Sequence, residues 1–561
     1  MLLPLSTFRK AVRAVVLAAS VFAGTVTPAL AQQPRVRFGA DLIDHIRAGS
    51  QSVEVIVEGD RATVDRVARQ YNLVVKRYLR KHGVILANSS QLAALQTDAE
   101  LTHLSGNIRY RTLAVDPIDQ GIGADQVWTG VGDLPKLSGK GVTVALIDSG
   151  IDPKHNAFKG TGLQSRVLAT VDFTGGDGVD RFGHGTHVAA IIAGQRGITP
   201  DTSMYQGVAP GAYLLNLRVL GNDGSGSASD VIEAIDWAIE HQQQYNIRVI
   251  NLSLGGPVNQ PYRDDPVCAA VERAVRARIF VVAAAGNFGQ KADGTRILGG
   301  ITSPGNSPYA ATVGALDTKG TAARDDDEVA AFSSSGPTQY DLVMKPDLVA
   351  PGRRVTSAEA AGSLLSVNFP DQHVAGNGPN AYIRGSGTSM AAAFVSGAAA
   401  VLLEERPSLQ PLTVKAALQM TSTFMPEAGL VQAGAGSLNL LAAAEFVLNG
   451  DLSNTTIAGE PAAASHIVIA PVDQVVSAQG TNGSLAKHLF PIRRTLARGT
   501  RNPRANALVK TAADSHAWGA SDDVLVLGAS DMLVWGASDM LVWGASDMLV
   551  WGASDMLVWG A

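Results

Sequence analysis

Three short segments carry side chains of the types that acyl transfer needs: Asp148 in ALIDSGID (145–152), His184 in FGHGTHVAA (182–190) and Ser389 in RGSGTSMAAA (384–393). A neutral serine hydroxyl is a poor nucleophile, so it needs a base to take its proton and a third group to hold that base in one tautomer. Carboxylate, imidazole and hydroxyl supply those roles. Each residue alone has a plainer reading. Ser389 opens an alanine-rich stretch and could be a helix N-cap. His184 could be a core histidine, or HGTH half of a metal site, although no third ligand follows at a suitable spacing. Asp148 could cap a turn.

The position of Ser389 at a helix start has a chemical use, because the unpaired amides and the helix dipole favour negative charge there. A side-chain amide would complete such a site, and Asn287 in AAAGNFG (283–289) follows an apolar run, flanked by Gly286 and Gly289. The elements that must position these groups are legible as apolar runs. VTVALID (142–148), YLLNLRVL (213–220), RVINLSL (248–254), IFVVAAAG (279–286) and AATVGAL (310–316) read as parallel strands buried on both faces. Between them, 229–244 and 266–277 have helical periodicity. The alternation predicts a three-layer, doubly wound α/β domain with a mostly parallel sheet. Ligands of such sheets bind beyond the strands' carboxyl ends, where Asp148, SLGG (253–256) and Asn287 fall.

Taken together, DSGID, GHGTHVA, AAAGN and GTSMAA resemble the motifs of the subtilisin-like serine peptidases (subtilases), in that family's chain order of Asp, His, Asn and Ser. The likeness runs over about 115–447. It implies a secreted serine endopeptidase with Asp148, His184 and Ser389 as triad and Asn287 as oxyanion donor. It also implies that Gly224, Ser225, Gly226, Ser253, Leu254, Gly255 and Gly256 align an extended polypeptide substrate, with 301–305 lining the first specificity pocket, while His187 is structural. Two features depart from the family. Ala393 stands where its helix carries proline, and the loop 193–210 is long with few carboxylates. The second argues against calcium at that loop and leaves Asp177 and Asp180 as an alternative, weaker ligand pair; the chemistry itself requires no cofactor.

The rest of the 561 residues fits an exported zymogen. Arg9, Lys10 and Arg13 precede an apolar run and Ala29-Leu30-Ala31, the pattern of a signal peptide over 1–31. That run is shorter than the ~20 residues of a membrane span. Residues 32–115 alternate strand and helix patterns and, behind a signal peptide, read as an inhibitory propeptide of α+β, ferredoxin-like type, cut between Arg111 and Gln120. It would be the enzyme's own first partner. Its basic run KRYLRKH (76–82) reads as a solvated strand edge. The peptidase domain spans 116–448, a linker 449–517, and a tail 518–561 repeats GASDMLVW with strand-like alternation, a candidate for surface or self association. The single cysteine, Cys268, excludes an intrachain disulfide and reads as a buried thiol. A net charge of -5 gives no footprint for nucleic acid. Two other readings stay open: a catalytically silent adhesive protein working through the tail, and an esterase, against which the glycine-rich substrate segments argue.

Overall fold

The computed structural model describes residues 36–107, 109–112, 121–160, 164–450, 452 and 454–471, and in the tail 524–527, 533–535, 540–543, 549–551 and 557–559. The expected signal peptide lies outside the described residues.

Strand β1 (Val53–Glu58) alternates as the sequence does: Val53, Val55 and Val57 enter a small core of their own. Helix α1 (Arg61–Gln70) starts at Asp60, whose side chain accepts from the Thr63 amide at 2.9 Å. Strands β2 (Val74–Tyr78) and β3 (His82–Ala87), helix α2 (Ser89–Leu95) and strand β4 (His103–Gly106) follow. The sheet order β4-β1-β3-β2, extended at the β4 edge by Arg37–Phe38, is the ferredoxin-like order expected. The other face of β1 and β3 is not solvated. Ile56 and Val84 are buried in one of the two cores of the next domain.

After strand β5 (Arg109–Thr112), the larger domain is built on β6 (Thr143–Asp148), β7 (Val167–Asp172), helix α3 (His184–Ala193), β8 (Tyr213–Arg218), β9 (Ser225–Ser227), α4 (Ala228–Glu240), β10 (Ile247–Leu252), β11 (Leu254–Gly255), α5 (Pro266–Arg276), β12 (Phe280–Ala284), β13 (Ala311–Asp317), β14 (Glu328–Val329), β15 (Leu348–Pro351), α6 (Thr388–Glu405), α7 (Pro411–Thr421) and α8 (Leu440–Asn449). The main sheet runs β14-β13-β12-β10-β6-β8-β7, with β15 beside β13. All its pairings are parallel except β13 with β14. Successive residues of one strand serve opposite cores, which is why the runs are continuously apolar. Val144 and Leu146 pack towards α3, α6, α7 and α8, whereas Ala145 and Ile147 pack towards α4 and α5. These are the three layers expected.

Helix α6 is apolar and long enough to cross a membrane, yet 89% of its apolar window is buried inside the domain. Its small side chains permit this. A Cβ on Gly397 would stand 2.6 Å from that of Val208, so only glycine allows the approach. Ala393 continues the helix without a break.

One reading is refined and one corrected. The basic run does lie on the outermost strand, with Lys76 and Arg80 about half exposed, but it also meets α4: Arg77 pairs with Asp230 at 2.6 Å and Glu233 at 3.0 Å, and Arg80 lies 3.7 Å from Glu240. Residues far apart in sequence supply the acids, so the run alone could not reveal them. Not all of 449–517 is a linker. Residues 455–457 and 460–462 form a hairpin, and Ile467 and Ile469 are buried with Val343, Met344 and Leu430. Segments of three or four residues are too short for periodicity to register. The described tail strands stack in parallel at sixteen-residue intervals, Leu533 on Leu549 and Leu541 on Leu557, so alternate octapeptides pair.

Candidate active site

Asp148 is the last residue of β6, near the middle of the sheet, and His184 the first of α3. The His184 ring donates through Nδ1 to Asp148 Oδ1 at 2.7 Å, and the Ser149 amide donates to the same oxygen at 2.7 Å. Since a carboxylate only accepts, this contact fixes the proton on Nδ1 and leaves Nε2 as the basic nitrogen. That nitrogen is buried and has no hydrogen-bond partner. Gly150 and Gly185 make the contact possible. Gly150 has φ of +119°, a left-handed value costly for other residues, and a Cβ on Gly185 would collide with the Gly150 carbonyl.

Ser389 lies in the first turn of α6. Its hydroxyl donates to the Ser253 carbonyl at 3.1 Å rather than to His184, and the Ser253 hydroxyl donates to the Ser389 carbonyl at 2.8 Å. The expected serine–imidazole bond is therefore unmade in this state. Asn287 follows β12, and its Oδ1 accepts from the Thr388 amide at 3.0 Å and the Thr388 hydroxyl at 3.1 Å. The acceptor end of the amide is thus committed to the start of α6. His187, one turn further along α3, is fully enclosed, and burial, reinforced by the nearby His184, pushes its imidazole down to about 3.

The expected substrate segments come together around β5. This strand lies between β9 and β11, antiparallel to both: Ser225 and Gly255 flank Arg111, Gly226 pairs with Tyr110, and Leu254 pairs with Thr112. Gly256 exchanges backbone bonds with Ser303 at 2.9 and 3.0 Å, which joins the SLGG segment to 301–305. The cleft is spanned by a strand of the same chain. Asp148, His184 and Ser389 are buried.

Asp177 and Asp180 do not fit a calcium ion. Both Asp177 oxygens accept from Arg181 at 2.6 Å, and those of Asp180 accept from Ser149 Oγ and from the Gly183 and Thr186 amides. Among the described residues, no group of three His, Cys, Asp or Glu is arranged to hold a metal. Sequence reasoning missed the engagement of Asp180, Ser149 and Thr388, because each works through a partner on another element. Cys268 is buried as expected, and burial pushes its thiol well above the usual range.

The model of the subtilase family matches residues 139–446, a span that holds all four of these side chains. The chain belongs to the subtilase family. This subtilase is 36% identical over 310 residues to serine protease AprX of Bacillus subtilis, covering 54% of its own length and 66% of that protein. It is 33% identical over 308 residues to subtilisin E of the same organism, covering 55% and 67%. With subtilisin-like protease 1 of Arthroderma gypseum it shares 33% over 269 residues, 47% of this chain and 44% of the relative. It thus spans less than two thirds of the first of these relatives and under half of the last. Fervidolysin of Fervidobacterium pennivorans, a keratinolytic enzyme related to subtilisin, matches the fold with a TM-score of 0.56 at 22% identity, over 76% of this chain and 64% of that one.

Proposed function

We propose that this subtilase is an exported serine endopeptidase that hydrolyses peptide bonds through an acyl-enzyme on Ser389. The observation that carries the reading is the carboxylate-held imidazole with a free basic nitrogen at the end of β6, on a helix that packs against the one whose first turn holds Ser389. His184 Nε2 takes the Ser389 proton during attack on the carbonyl, once the hydroxyl leaves the Ser253 oxygen. Asp148 stabilises the imidazolium. The Asn287 amide and the Ser389 N–H receive the oxyanion. The proton then passes to the leaving amine, and water repeats the cycle to release the acid. None of these steps calls on a cofactor.

Strand β5 supports the substrate class, since it occupies the cleft by adding a strand between β9 and β11. Gly224, Ser225, Gly226 and Ser253 to Gly256 would align a cleaved polypeptide in the same way. The unit 36–107 is proposed as the propeptide, which assists folding and blocks the cleft until cut. Its expected cut region, Arg111 to Gln120, lies mostly outside the described residues. Export rests on the leader pattern of 1–31, and the tail is proposed as a surface or self-association module.

The test is Ser389→Ala expressed in a protease-free host. The wild type should react with a fluorophosphonate and yield a mature chain whose first residue lies between Arg111 and Gln120; the variant should do neither. A variant that still releases residues 36–107 would contradict self-processing. A wild type that resists the fluorophosphonate and cleaves no peptide would contradict the peptidase reading.

A further inference from the structure

We infer that Asp180 is a positioning residue for the reaction: through Ser149 it locks the end of β6, which carries Asp148, to the start of α3, which carries His184. The inference rests on the peptidase reading above. Asp180 lies in the loop before α3 and is 3% exposed. Its Oδ1 accepts from Ser149 Oγ at 2.9 Å and from the Gly183 amide at 2.7 Å, and its Oδ2 accepts from the Thr186 amide at 2.8 Å. Ser149 Oγ in turn accepts from the Gly185 amide at 2.9 Å. One carboxylate and one hydroxyl therefore hold the amides at 183, 185 and 186, on either side of His184, and the residue next to Asp148.

The same contacts favour the anion. The Gly183 and Thr186 amides can only donate to the Asp180 oxygens, and the Ser149 hydroxyl can donate to them, so the ionised carboxylate satisfies all three bonds. Burial pushes the Asp180 carboxyl up from its ordinary range, and the bonds from Gly183, Thr186 and Ser149 pull it back. An anion at a helix start also suits the unpaired amides and the dipole of α3. The bridge matters because Asp148 and His184 sit on different elements and meet through a single hydrogen bond. A shift of about 1 Å in such a pair can cost about a hundredfold in rate.

Asp180→Asn keeps the shape but turns one acceptor into an N–H that must face another N–H or the Ser149 hydroxyl. We expect kcat per titrated active site to fall by about ten- to a hundredfold with KM nearly unchanged. The downfield proton signal of the His184–Asp148 bond should move. Ser149→Ala should reproduce the loss, Asp180→Asn with Ser149→Ala should add little further, and Ser149→Thr should restore the rate. Counting active sites with a fluorophosphonate separates misplacement from misfolding. If titrated Asp180→Asn enzyme turns over at the wild-type rate with an unmoved proton signal, or if the two single losses simply multiply, Asp180 has only a structural role. A wild type that the fluorophosphonate does not label would overturn the underlying peptidase reading instead.

Discussion

The Asn287 amide is oriented by Thr388, whose backbone N–H and hydroxyl both donate to Oδ1 and so turn the amide's N–H side away from the start of α6. If that side receives the oxyanion, Asn287→Ala should lower kcat by about 10²–10³, the loss measured when subtilisin itself gives up its oxyanion asparagine, and leave KM almost unchanged. Thr388→Val removes one of the two donors to Oδ1 and should cost much less. Steady-state kinetics on a peptide anilide, with melting curves for both variants, check the pair; equal losses would place the effect in the start of α6 and not in the amide. At this scale the identities of Asp148, His184, Asn287 and Ser389 were legible, since each stands in a short segment that also holds its turn glycines. The rotamer of Ser389 was not, because the competing acceptor, the Ser253 carbonyl, lies 136 residues away. Asp180 was legible only as an acid, and its partners on two other elements decide what the acid is for.

Elements with long apolar runs were read with nearly correct bounds, because a strand buried on both faces leaves no polar interruption. The two-residue β11 and the three-residue β9 carry no such signal, yet they hold β5. The contacts between the two folded units were equally hidden. His82 on β3 and His103 on β4 face Asp264 and Asp265, with Arg37, Glu58, Arg263 and Arg273 around them. Burial, with Arg273 alongside, pushes the His82 imidazole down to about 4 and also lowers that of His103. A freed or unfolded His82 titrates near its ordinary 6.5. Between pH 6.5 and 4 it therefore binds more protons than the docked form, and stability rises with pH over that window. Docking of residues 36–107 should be full above pH 6.5 and weaken as the pH falls towards 4. Hydrogen exchange of β3 and β4 in full-length Ser389→Ala, measured across this range, should show progressive loss of protection. His82→Leu should flatten the slope; an unchanged slope would remove His82 from the account.

Over the whole molecule, the boundary of the peptidase domain is set by packing and not by composition. The family match ends at residue 446, close to the expected boundary, but the chain goes on contributing to the fold. Asn439 Nδ2 donates to Thr455 Oγ1 at 2.8 Å, Ser465 Oγ donates to the Gln419 carbonyl at 2.9 Å, and Ile457, Ile467 and Ile469 are buried. Ile467 and Ile469 sit against Val343, Met344, Leu430 and Ala435, which would otherwise face water. Burial of each such side chain stabilises by about 1.5–3 kcal/mol, so the segment is worth several kcal/mol before its own ordering cost. A Ser389→Ala chain ending at residue 471 should therefore melt within about a degree of the full chain's folded domain. One ending at residue 450 should melt roughly 5 °C or more lower, since each kcal/mol moves the midpoint of a large domain by about 2 °C. Ile467→Ala with Ile469→Ala in the longer chain should account for most of the difference. Equal melting of the two truncations would return 449–471 to the status of a linker, whereas a drop that the double substitution fails to reproduce would move the stabilisation to the 455–462 hairpin.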